Sequence, residues 1–318
     1  MVVGAALTAD LTDAEWLERL KRVGEKDGYY TQLGQDHAAV FVERSHDVLF
    51  VAFETLAGIR SLSDNGMPVA FDVSARRGWS HLTLIADRES WFRSNSVITY
   101  FDRLDDFSFF EDFDRVVFYG AGMCGYAAAV YSVAAPGSFA LLVAPQATLE
   151  RGRTEWDTRF PAARRMDFRR RYGYAPDMLE AARAAYVIYD PDETEDAMHA
   201  SLFAGPNIIR HRYRRGRAGT IDTDLRTLAL IERLAEAAAN GVLTPGRLAR
   251  VLRARRDHLP YLRSLLARVL AEDRPQLTAR LCRAVLASKQ VPSFRHHLEV
   301  AERRLGSGEA RAASGPAE

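Results

Sequence analysis

Residues 116–129 read Val116-Val117-Phe118-Tyr119-Gly120-Ala121-Gly122-Met123-Cys124-Gly125-Tyr126-Ala127-Ala128-Ala129. A run of β-branched and aromatic residues, the composition of a strand, enters a cluster of three glycines. Small residues then continue as a helix. Glycine at the centre of such a turn accepts a positive φ that other residues resist. Small residues on the departing helix let it lie close to the strand it has just left. A strand that turns directly into a covering helix is the unit from which parallel sheets are built.

The same alternation extends outward in both directions. Upstream, 11–25 carries Trp16, Leu17, Leu20 and Val23 at helical spacing behind Thr12 and Asp13. Two apolar runs, 38–43 and 48–53, flank Arg44-Ser45-His46-Asp47 and predict a hairpin. A strand is expected over 80–86 and a helix over 96–104. Downstream, strands are expected over 138–144, 185–190 and 207–213, with helices over 177–184 and 195–203. The prediction is an α/β fold: a mostly parallel sheet with helices on both faces and the hairpin as its antiparallel edge.

Beyond residue 220 the pattern is helical. Leu225, Leu228, Leu230, Ile231 and Leu234 form a stripe, Asn240-Gly241 reads as a helix end, and Pro245, Pro260, Pro275 and Pro292 mark new starts. The expected organisation is an α/β domain over 1–220, a helical C-terminal region over 221–305 and a disordered tail over 306–318.

The chain has 318 residues, 47% hydrophobic and 27% charged, with a net charge of +1. The charge is unevenly placed: 12 basic and 21 acidic residues in 1–150 give −9, and the rest carries +10. No apolar run approaches the roughly 20 residues that span a bilayer, and the first ten residues lack a basic leader. Cys124 and Cys282 form neither a disulfide framework nor a metal-ligand spacing. The expectations are a cytoplasmic protein, no cofactor, no metal, no membrane association and no specific nucleic-acid partner.

Residues 116–136 resemble the nucleophile elbow of α/β-hydrolases, G-x-S-x-G, and most closely the G-x-S-M-G-G-Y-A-A form of a bacterial group. Further segments are similar to a set of alphaproteobacterial proteins often labelled phosphoadenosine phosphosulfate reductase. They are Phe53-Glu54-Thr55, 78–82 (Gly-Trp-Ser-His-Leu), 145–149 (Pro-Gln-Ala-Thr-Leu), 171–179 (Arg-Tyr-Gly-Tyr-Ala-Pro-Asp-Met-Leu) and Tyr189-Asp190-Pro191. This similarity extends over most of 11–305. The reductase label implies an S-G-G-x-D-S loop and an E-C-G-x-H thiol motif, and neither string occurs here.

The hydrolase resemblance implies a set of site positions. Gly122 stands where the nucleophilic serine belongs, and Cys124 is the nearest thiol. The Met123 amide would be one oxyanion donor. The loop after the 48–53 strand, with Thr55, would supply the other. Asp190 or Asp196 would be the acid, the base would fall near Thr220, and Gln146 lies in a neighbouring strand-end loop. His199 is expected on the surface or at a helix cap. Arginines cluster at 164, 165, 169, 170 and 171 and again at 210, 212, 214, 215 and 217. Alternation sets Arg210, Arg212 and Arg214 on one strand face, suited to carboxylate or phosphate. Three readings follow. One is a catalytically retired hydrolase scaffold that binds an anionic or glycan ligand. Another is an enzyme built on Cys124, either acyl hydrolase or transferase or the labelled reductase. The last is an interaction scaffold acting through its helical C-terminus.

Overall fold

The computed structural model describes residues 11–63, 65–215 and 219–313. The first ten residues, Arg217 and residues 314–318, all used in the reading above, lie outside the described residues.

Helix α1 (Asp13–Asp27) leads into strands β1 (Gly28–Leu33), β2 (His37–Val42) and β3 (Leu49–Thr55). Helices α2 (Leu56–Leu62) and α3 (Val69–Arg77) precede β4 (Ser80–Ala86), and α4 (Asn95–Asp106) precedes β5 (Val116–Ala121). Then come α5 (Met123–Tyr131), β6 (Phe139–Val143), the short helices α6 (Arg151–Thr154) and α7 (Ala175–Met178), β7 (Ala184–Tyr189), α8 (Thr194–Leu202) and β8 (Ile208–Arg212). Six helices follow: α9 (Ile221–Thr227), α10 (Leu230–Ala239), α11 (Pro245–Leu252), α12 (Leu259–Ala271), α13 (Pro275–Leu286) and α14 (Pro292–Ala313).

The eight strands form one sheet in the order β1-β2-β4-β3-β5-β6-β7-β8. β3 to β8 run parallel, and β1 and β2 are the antiparallel end. The α/β architecture is thus as expected, but the hairpin is elsewhere. β2 and β3 are not neighbours, because β4 lies between them. The hairpin joins β1 to β2, Leu33 opposite His37, through Gly34 at φ +69°. The apolar run of β2 marks a strand buried along its whole length, not half of an edge hairpin. The expected helix over 177–184 shrinks to α7, ahead of β7.

One core layer lies against α4 and α5, around Phe118 and a stack of Phe53, Phe101 and Tyr131 with ring centroids 4.1–5.9 Å apart. The opposite layer centres on Trp16, Leu20, Val40, Ile59 and Ile85. On β4, His81 is fully buried against Phe71 (4.2 Å between ring centroids), and neither of its ring nitrogens has a partner. Burial, followed by the charge of Arg44, pushes its pKa down to about 3, so it stays neutral. A buried polar atom without a partner costs stability. His81→Leu is therefore expected to raise the stability by about 1 kcal/mol. A loss in urea unfolding would contradict this.

The chain divides into two compact units at a place the sequence pattern did not mark. The first comprises the residues up to Arg214 together with the segment ending at Leu252. The second begins at Arg253 and also holds Arg215. The expected boundary at 220 is therefore corrected: α9, α10 and α11 belong to the α/β unit. Polar bonds hold α9 and α10 there, from Arg77 to Glu232 and Glu236 (2.8 and 2.6 Å), from Arg115 to Asn240 (3.1 Å) and from Tyr213 to Asp224 (3.1 Å). The second unit packs α12, α13 and α14 around Leu262, Leu266, Cys282, Val285 and Phe294. The expected tail at 306–318 begins inside a helix, since α14 continues to Ala313. Among the described residues no helix is long and apolar enough to cross a membrane.

Candidate functional site

The C-terminal ends of β3, β5, β6, β7 and β8 lie side by side, and it is here that open parallel sheets bind ligands. Backbone bonds connect this edge: Gly122 N to Val143 O (2.9 Å), Ala144 N to Ile188 O (2.8 Å) and Tyr213 N to Tyr189 O (2.7 Å). Gly122, at the N-cap of α5, has φ 57° and ψ −124°. Non-glycine residues held there store roughly 1–3 kcal/mol of strain. A Cβ at Gly122 would meet nothing within 4 Å, so the position is open. The other two glycines are there for packing. A Cβ on Gly120 would sit 2.1 Å from the Cys124 carbonyl oxygen, and one on Gly125 would press on Gly120 and Pro145 at 3.1 Å. Strand and helix can approach this closely only without those side chains. The first amides of α5, beginning with Met123, have no intrahelical acceptor and carry the positive end of the helix dipole.

The other candidate positions come out differently. Cys124 is buried. Burial, and then the carboxylates of Glu54 and Asp222, push its thiol up, so it remains a neutral S–H at physiological pH. Thr55 is not in a loop: α2 begins at the next residue, and Thr55 caps it by accepting the Gly58 amide (2.9 Å). Gln146 is 3% exposed, and its Oε1 has no partner. Asp190 is buried and accepts the Asp192 amide (3.0 Å), while Asp196 pairs with Arg159 (2.7 Å). Thr220 is the N-cap of α9, its carbonyl accepting the Asp224 amide (2.9 Å). No histidine occurs between 212 and 257.

Two polar assemblies at this edge escaped the sequence reading. In the first, His199 is a fully buried residue, not a surface one. Its Nδ1 accepts the Ala147 amide (3.1 Å), so Nε2 carries the proton and donates to Asp157 (2.9 Å). Arg159 also donates to Asp157 (3.1 and 3.0 Å) and bridges to Asp196. Burial alone would raise the Asp157 carboxyl, but the bonds from His199 and Arg159 outweigh it and hold the group well below the usual carboxylate range. With both ring nitrogens engaged, His199 is a clamp between α8 and the long β6–β7 excursion, not a base.

The second assembly lies beside the elbow. Glu54, buried at the end of β3, accepts the Val69 amide (2.8 Å) and Arg226 Nη1 (2.8 Å). Arg226 Nε donates to Asp222 (2.9 Å), and Asp222 also accepts the Tyr119 hydroxyl. Burial raises Glu54, partly offset by Arg226. The clue in the sequence was a single charge, Glu54, in the otherwise apolar run 48–53 extended by one residue. Its partner lies far along the chain on α9. Arg226 also lines a cavity of about 430 Å³ with Val69, Asp72, Val73, Arg76 and Glu232.

The arginine groups divide. Arg164 donates to the Thr154 and Glu155 carbonyls, Arg170 pairs with Asp167 (2.9 Å) and Arg171 with Asp102 (2.9 Å), so most of the first group is tied up locally. Arg210, Arg212 and Arg214 are exposed on or just beyond β8, the edge strand, with Tyr213 buried between them.

No family model and no curated protein matches the chain in sequence. Solved structures similar in fold include the hyperthermophilic esterase from the archaeon Pyrobaculum calidifontis, 13% identical over 74% of this chain and 94% of that one, with a TM-score of 0.44. MPT51 of Mycobacterium tuberculosis is 12% identical over 66% of this chain and 95% of its own, with a TM-score of 0.44. The Glycosylation Associate Protein (Gap123) complex from Streptococcus agalactiae is 12% identical over 63% of this chain, with a TM-score of 0.43. The match covers 44% of that chain, less than half its length.

Proposed function

We propose that this chain is an α/β-hydrolase-type scaffold that binds a ligand without hydrolysing it, seating an anionic group such as a carboxylate on the first-turn amides of α5. The observation that carries this reading is Gly122. The elbow keeps its sharp positive-φ turn and an open approach, yet the side chain that would attack is missing. The absence of a histidine between 212 and 257, the stretch that follows β8, supports the same conclusion, because a hydroxyl at 122 would have no base there to take its proton. The exposed Arg210, Arg212 and Arg214 favour an anionic ligand, and a glycan acid would satisfy the same groups.

The reading with Cys124 as nucleophile is opposed by its buried, protonated thiol. The reductase reading shares that difficulty and lacks both motifs. A partner-binding role for the helical C-terminus would fall to the unit from Arg253 onward.

The test is a panel of short-chain esters and thioesters given to the parent, Gly122→Ser and Cys124→Ala, with the Met123 amide followed by NMR during titration with acetate and glucuronate. The expected result is no turnover by any form and a saturable shift of the Met123 amide. Parent turnover that disappears in Cys124→Ala would overturn the proposal, and so would an amide unmoved by either anion.

A further inference from the structure

We infer that the cleft at the N-terminal ends of β5 and β6, together with the exposed Phe107 next to it in the chain, docks an arginine- or lysine-rich segment of a partner protein. This surface lies at the opposite edge of the sheet from the elbow and does not depend on the ligand reading above.

Residues 107–113 contain four phenylalanines. Three turn inward: Phe109, Phe110 and Phe113 pack edge to face on one another and on Phe41 at 5.2–6.3 Å. Phe107 does the opposite and is 81% exposed. It is held there by the end of α4. Its amide donates to the Arg103 carbonyl (3.0 Å), and Ser108 follows with φ 53°, a conformation that turns the chain sharply. A large aromatic presented on a fixed turn is the usual form of an interface anchor.

Beside it Leu104, Phe110, Phe113, Val116, Ala135 and Pro136 line a cavity of about 250 Å³. That is smaller than the roughly 300–1,000 Å³ of small-molecule sites, and suits a side chain instead. Charge identifies the occupant. Asp105, Glu111 and Asp114 stand on the rim, Asp106 and Asp112 flank it, and all five are exposed. None has an ion-pair partner among the described residues, and Arg115, the cation in the cleft lining, donates to Asn240 (3.1 Å). A second copy applied face to face would set carboxylate against carboxylate. A cationic side chain instead lays its alkyl stem in the cleft and its charge over the Phe107 ring and the rim.

The test titrates the full-length protein into a fluorescein-labelled amphipathic peptide of about 14 residues, arginine on one face and leucine on the other, and into its glutamate-for-arginine counterpart. The expected result is saturable binding of the arginine peptide alone, weakened about tenfold between about 50 and 300 mM salt. Phe107→Ser is expected to weaken it by about tenfold with an unchanged melting temperature. Asp105→Asn with Glu111→Gln should weaken it and flatten the salt dependence. Binding untouched by Phe107→Ser, equal binding of the glutamate peptide, or none at about 1 mM would each overturn the proposal. A dimer in sedimentation that Phe107→Ser dissolves would assign the cleft to a second copy and overturn it equally.

Discussion

Replacing Arg226 by methionine is expected to cost about 3–5 kcal/mol of folding stability, because it leaves Glu54 and Asp222 without the charge that holds them. Glu54 has no solvent to turn to at 2% exposure. The loss should depend on pH in a defined direction. Burial raises the Glu54 pKa and Arg226 lowers it part of the way back. A carboxyl whose folded pKa lies above its ordinary value near 4.5 subtracts nothing below that value. Its ionisation subtracts stability as the pH rises from there through the folded pKa. Without Arg226 that folded pKa moves higher still. The deficit of Arg226→Met relative to the parent should therefore grow between about pH 5 and 8. Urea unfolding at both pH values measures it. Adding Glu54→Leu to Arg226→Met should recover most of the loss, since the buried charge is then gone too. A deficit independent of pH, or no recovery in the double variant, would mean that the assembly does not work through charge.

Asp157→Asn is expected to cost about 2–4 kcal/mol. The carboxylate accepts from His199 Nε2, from two nitrogens of Arg159 and from the Arg159 amide (3.0 Å), which an asparagine cannot reproduce because its NH2 meets donors. Here the sign with pH is reversed. The folded pKa is depressed, so the stabilisation is fully present above the ordinary value of 3.8 and fades as the pH falls through the folded pKa. The gap between parent and variant should be widest from about pH 5 upward and narrow below about pH 3. Hydrogen exchange at the Ala147 amide should quicken in the variant, because that amide is held by the same His199. A loss under about 1 kcal/mol would mean that the clamp is incidental.

These two assemblies also explain where sequence reading stopped. The elbow was legible because its parts are contiguous, three glycines and an apolar strand within 116–125. The register of the sheet was not. An unbroken apolar run such as 38–42 is compatible with an edge or an interior strand, and only the insertion of β4 decided which. Nothing in the local pattern singles out Arg226, because its ion pair is with a carboxylate far away in the chain. His199 looked exposed because a helix pattern does not reveal what the β6–β7 excursion lays across it.

By itself the sequence determined the α/β class, the strand–turn–helix at Gly122 and the glycine, without a hydroxyl, at the centre of that turn. All of these follow from local pattern: period, glycine freedom and the identity of single residues. Tertiary structure alone decided that β4 separates β2 from β3 and that α9 to α11 belong to the α/β unit. It alone decided that Cys124 is shut away, and that Glu54 with Arg226 and Asp157 with His199 are buried pairs. Burial and long-range charge pairing depend on which distant segments meet, and no local pattern records that.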